Sequence, residues 1–285
     1  MRRSVTNGLA GIIGSTVGSR ALACARIAVA SAALLKAVLV APVVLHVEDE
    51  PLRLPLVPLP EIPFISLFIV WVAAGALLLL GFAVPLTGTL VGLSAWYTLL
   101  SDERVYSNHL LLLSLLAILS AASGGGRLLS RDHRVPGTAV FLMMVQISTV
   151  YVFAGLSKIN SSFLAGEILA GQAGTPDALV PVPFSSFPDT VVVTLSIGAV
   201  VFEVALGIVL WIPRVRICAI AAGILLHLTF MLFLAERWEF LGFALLCFST
   251  YPLFASWRSA PRSAAPFSEE PPVPPGGSGA VRSAG

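Results

Sequence analysis

The chain has 285 residues, of which 57% are hydrophobic and only 11% charged, and its mean hydropathy is +0.93. Soluble domains carry about a quarter charged residues, so this composition cannot cover a water-facing surface. A formal net charge of +2, with no basic cluster interleaved with aromatics, argues against a nucleic-acid partner.

Met1-Arg2-Arg3 and the weakly apolar, Gly-, Ser- and Thr-rich stretch behind it read as a retained cytoplasmic leader over residues 1–20. Eight apolar runs follow, at 22–45, 64–83, 86–100, 108–122, 138–157, 190–212, 217–234 and 240–256. A helix needs roughly 20 mainly apolar residues to cross about 30 Å of hydrocarbon, because unpaired backbone groups are not tolerated there. The third and fourth runs are short, and Pro85 leaves almost nothing between the second and third, which predicts a tight helical hairpin. Arginines alternate with the runs. Arg2, Arg3 and Arg20, then Arg127, Arg131 and Arg134, then Arg214 and Arg216, then Arg258 and Arg262 all fall on one side. The opposite loops hold Glu48, Asp49, Glu50, Glu61, Asp102, Glu103, Glu236 and Glu239 with only the scattered arginines Arg53, Arg104 and Arg237, and the long loop 159–189 has neither arginine nor lysine. Basic residues favour the cytoplasm. The expected fold is therefore all-α: a polytopic transmembrane helical bundle of about eight spans in the cell membrane, with both termini inside. Residues 21–257 form its membrane domain, and the Ser-, Pro- and Gly-rich residues 258–285 read as a disordered cytoplasmic tail. Cys24, Cys218 and Cys247 lie inside apolar runs at unrelated spacings, which predicts neither disulfides nor a metal site.

Ionisable side chains inside a span cost about 2.5–3.5 kcal/mol each on the insertion scale, so each needs a partner, a cavity or a role. Arg26 lies near the cytoplasmic end of the first run and is expected to snorkel. Lys36 and Glu203 both lie near mid-membrane and are expected to form a structural ion pair between the first and sixth spans. His109, Lys158 and His227 all project toward the outer side. At 100° per residue, Ser148, Tyr151, Gly155 and Lys158 share one face of the fifth helix, and the small Gly155 one turn below the amine lets another backbone or a ligand approach closely. A desolvated lysine loses proton affinity and can act as a base near neutral pH. The loop 160–189 directly follows it, rich in Gly and Pro, and a loop of that length in a compact bundle is functional or disordered.

Two stretches carry a resemblance. Tyr106-Ser107-Asn108-His109 before a leucine-rich span, and the run from Gln146 through Tyr151, Ala154-Gly155 and Lys158 to Asn160, resemble the membrane domain of vitamin K-dependent γ-carboxylase and its HTTM (horizontally transferred transmembrane) relatives. Glu203, Trp211-Ile212-Pro213-Arg214 and His227 fit the later helices of the same family, so the likeness extends over most of residues 20–257. The family includes a maturation component for a secreted sporulation-delaying peptide toxin. The resemblance implies an outward-facing active site in which Lys158 acts as base on a reduced quinone and His109 assists carboxylation.

The leading expectation is thus a carboxylase-like membrane enzyme that uses a hydroquinone or similar lipidic cofactor. Lys158 and His109 are its catalytic residues, and Asn108, Tyr151, Gly155 and His227 shape the cofactor site. A non-redox helper in the maturation or export of a small secreted peptide, or a transporter, stays open as an alternative.

Overall fold

The computed structural model describes residues 15–47, 59–124, 126, 134–173, 175 and 178–257. Among them, eight helices of fifteen residues or more each coincide with one of the apolar runs. These are α1 (Ser19–Val47), α2 (Phe64–Leu80), α3 (Val84–Ser101), α4 (Asn108–Ala122) and α5 (Thr138–Ser157), then, after two short helices, α8 (Asp189–Val209), α9 (Arg216–Phe233) and α10 (Arg237–Ser256). The short ones, α6 (Ser161–Leu164) and α7 (Glu167–Ala173), occupy the long loop. Five helices (α1, α5, α8, α9 and α10) are long and apolar enough to cross a membrane, and α2 and α4 are apolar but shorter. The expected disorder of 258–285 and the first part of the leader lie outside the described residues.

Large apolar side chains face outward from nearly every helix, among them Leu80, Leu86, Phe153, Ile217 and Leu225. A water-soluble monomer does not expose a surface of this kind, whereas hydrocarbon solvates it. The chain is a multi-pass membrane protein. Inside, Trp71, Tyr151 and Phe254 join Leu112, Leu113, Leu116, Met143 and Met144 in one core. α1 lies against α2 and α10, α3 against α4, and α5 against α8. Small residues set the closest of these approaches. A methyl group on Gly88 or Gly92 of α3 would come within 2.9 Å of the carbonyl oxygens of Ala117 and Ser114 in α4, the spacing seen where membrane helices meet backbone to backbone.

At the other end of the bundle from His109 and Lys158, the leader is tied in. β1 (Thr16–Gly18) pairs antiparallel with β2 (Arg134–Pro136), and Arg134 Nε donates to Thr16 Oγ1 at 2.7 Å.

Arg26 does not snorkel. It is 4% exposed and donates to the carbonyls of Leu78, which also accepts from Gly81 N–H, and of Leu79, the latter at 2.9 Å, and so serves the acceptors at the end of α2. Gly81, which turns the chain with φ +80°, leaves room for the guanidinium, since a methyl there would sit 2.9 Å from its central carbon. This makes Arg26 a cap supplied by a neighbouring helix. Arg26→Ala is expected to cost about 2–3 kcal/mol, the scale of a lost charged hydrogen bond with stranded acceptors. A lowered unfolding temperature in detergent, partly restored by Arg26→Lys, is the result that checks it.

Candidate functional site

Three polar groupings gather toward one end of the helices. The first opens to the outside. Ser107 caps α4 by accepting from the Leu110 backbone N–H at 3.2 Å, which sets Asn108 and His109 on the first turn. The His109 imidazole stacks on Phe243 of α10, with ring centroids 4.5 Å apart and planes at 17°. Its Nδ1 lies 3.8 Å from Glu239 Oε2, and the same oxygen pairs with Lys36 of α1. Lys36 is 2% exposed, so the buried ammonium is held by a carboxylate that also touches the imidazole. A pocket of about 640 Å³ lies over these groups, lined by Lys36, Arg104, Asn108, His109, Glu236 and Glu239 among others. Arg104 is chelated by Asp102 through contacts of 2.9 and 2.7 Å. Glu236 sits at φ +59°, a left-handed conformation unusual for a residue with a side chain, and its carbonyl starts α10 by accepting from Glu239 and Phe240.

The second grouping is closed. His227 of α9 is 1% exposed, and its Nε2 lies 2.8 Å from the Tyr151 hydroxyl, which in turn lies 2.6 Å from the Tyr251 hydroxyl. The rings of Phe230, Phe243 and Phe248 present edges to the imidazole at 5.2–6.2 Å. Nδ1 has no hydrogen-bond partner among the described residues. Phe243 thus separates the pocket histidine from the buried one.

The third is an ion pair between α5 and α8. Lys158 caps the end of α5, and its Nζ meets Glu203 Oε2 at 2.5 Å, with the Phe163 ring 5.9 Å from the amine. The lysine side chain is 27% exposed and the glutamate 4%. The expected pair of Lys36 with Glu203 is therefore not formed. α1 packs on α10 and α8 on α5, so each charge takes the partner its own neighbour offers: Lys36 takes Glu239 and Glu203 takes Lys158.

The expected site is redistributed. Asn108 and His109 line the pocket, and Lys158 is not among the lining residues. His109 and His227 both contact Phe243, and Lys158 stands at the same end of the bundle without lining that cavity. Gly155 does admit close approach, but the visitor is α8: a methyl there would lie 3.0 Å from Val200 O and 2.6 Å from Val204 Cγ2. Tyr151 and His227 are engaged with each other. Of the residues expected to hold a reduced quinone, these three are not among those lining the described pocket. An amine–carboxylate pair beside an aromatic wall does fit a phenolic hydroxyl, and Lys158, Glu203 and Phe163 supply that set. No group of His, Cys, Asp or Glu among the described residues could hold a metal ion.

Sequence reasoning missed Glu239, Glu236, Tyr251 and Phe243. Glu239 stood one residue before the expected last span and read as loop. An acidic residue is at home in the first turn of a helix, and that signal would have moved the boundary out to 237.

No characterised protein and no solved structure matches the chain at a significant level. A family model does: the HTTM domain matches residues 51–257, which takes in both histidines, Lys158, Glu203, Glu239 and the pocket walls other than α1, together with seven of the eight long helices. With most of its length and its polar residues inside that match, the chain belongs to the HTTM family.

Proposed function

We propose that this protein is a carboxylase-like enzyme of the cell membrane, with eight spans and both termini in the cytoplasm, acting at the extracytoplasmic ends of its helices. The topology rests on the arginines. Arg20, Arg134 and Arg216 stand at or near the starts of α1, α5 and α9, at the end opposite His109 and Lys158. The single observation behind the chemistry is the placing of His109: an imidazole lining a pocket, stacked on Phe243 and set beside Glu239, which Lys36 anchors.

In this reading His109 is the acid–base group that meets the substrate, and Glu239 orients the ring and steadies its charged form. Asn108 offers an amide to the substrate's carbonyl. A pocket of about 640 Å³ that opens outward suits a glutamate side chain of a small secreted peptide. Lys158 is the base. In the ion pair its amine is charged, and passing one proton to Glu203 across 2.5 Å leaves it neutral and able to accept another. Lys158, Glu203 and Phe163 would hold a hydroquinone, which would supply an acidic phenol and two electrons, with molecular oxygen as the oxidant that accepts them.

The test uses proteoliposomes given labelled carbon dioxide, a glutamate-containing peptide, oxygen and a reduced quinone. Wild type is expected to label the peptide, and Lys158→Ala and His109→Gln are each expected to lose about 10²–10⁴-fold, the usual contribution of a positioned acid or base. No labelling by the wild type, or full labelling by Lys158→Ala, ends the proposal.

A further inference from the structure

The stagger of α5 against α8 says where the chain goes after Lys158. Gly155 lies against Val200 and Val204, yet α5 ends at Ser157, whereas α8 continues outward from Val200 to Asp189. Those eleven residues correspond to about 17 Å of helix at 1.5 Å per residue. α8 therefore overhangs the end of α5, and α6, α7 and the turns around them pack beside the overhang, with Val192 against Gly166.

We infer that this strap, the described residues between 159 and 187, is a membrane element that sits in the bilayer leaflet at that end of the bundle. Its exposed side chains include Ile159, Ile168, Leu179 and Phe187 together with the small polar Asn160, Ser161, Ser162 and Gln172, and the overhang it packs beside exposes Leu195 and Ile197. A surface shared with a helix apolar enough to cross the membrane takes the same solvent, which is lipid. Charge agrees with that occupant. Residues 159–189 contain no lysine or arginine, and Glu167, exposed in the first turn of α7, is the kind of group that stays at headgroup level.

The backbone meets the demand that an apolar surround imposes. Beyond the bonds inside the strap, Val180 N–H donates to Leu232 O at 2.8 Å and Ala235 N–H to Gln172 O at 3.2 Å, and within it Val182 N–H donates to Ala173 O at 3.0 Å. The strap is thus stitched to the end of α9 and to itself. It follows that Lys158 lies beneath the membrane surface and is approached along the lipid side. This holds whether or not Lys158 is catalytic.

The test uses the full chain in proteoliposomes with Cys24→Ser and Cys218→Ser, leaving the buried Cys247. Single cysteines at Ile168→Cys and Leu179→Cys carry a small fluorophore, with Leu225→Cys on the outward face of α9 and Glu103→Cys in an exposed turn as references. Spin-labelled lipid is expected to quench positions 168 and 179 as it quenches 225, and iodide on both faces is expected to quench them about tenfold less than 103. Iodide quenching equal to that at 103 overturns the proposal. So does shielding from both quenchers, which would mean that protein covers the strap. If one variant fails to fold, the other and Phe187→Cys give the same reading, independent of any enzymatic assay.

Discussion

Replacing Lys158 with methionine is expected to destabilise the protein by about 3–5 kcal/mol, and replacing Glu203 with leucine in the same chain is expected to restore most of that loss while peptide labelling stays absent. The single change strands a carboxylate that is 4% exposed, between helices that meet closely at Gly155. Removing both charges removes the stranded group, and an apolar pair of similar volume packs about as well as the ion pair did. Unfolding of the purified protein in detergent measures the first part and labelled carbon dioxide the second. Recovery of both stability and labelling in the double variant would show that the amine has no chemical role. Failure to recover stability would show that the pair does more than satisfy its own charges.

The second large effect lies on the opposite side of Phe243. Glu239→Ala leaves the Lys36 ammonium, 2% exposed, without its carboxylate, and about 2–3 kcal/mol of stability is expected to go. This is less than the penalty for a fully buried pair, because Glu239 is 35% exposed and water reaches its site. Exchanging the charges, Lys36→Glu with Glu239→Lys, is expected to restore stability lost on either single reversal. Combining Lys36→Glu with Glu203→Lys is expected to add the two losses instead, since the residues belong to different pairs. A double-mutant cycle on unfolding temperature separates the outcomes: coupling appears between 36 and 239 and is absent between 36 and 203.

The helices were legible because membrane helices are written in long apolar runs. The runs at 108–122 and 138–157 agree with α4 and α5 residue for residue, and the others differ by a few positions at their ends. The boundary at α10 slipped for a physical reason: Arg237-Trp238-Glu239 is polar enough to read as loop, yet it forms the first turn of a helix. The candidate residues were legible one at a time. His109, Lys158 and His227 do come to the same end of the bundle, but partnership is a property of which helices are neighbours, and hydropathy carries no such information. Lys36 and Glu203 were matched by depth alone. Depth cannot tell that α10 lies against α1 and that α8 lies against α5. Gly155 was read correctly as a place of close approach, and whether a backbone or a ligand arrives there depends on the same missing neighbours.

One oxygen of Glu239 faces both the Lys36 ammonium and the His109 ring, so the two share it. A proton arriving on the ring, or a guest that turns the ring away from Phe243, alters how firmly the carboxylate grips the ammonium. That grip fastens the first long helix to the last, across 203 positions of sequence. The mouth of the cavity and the seam that closes the bundle thus share one carboxylate.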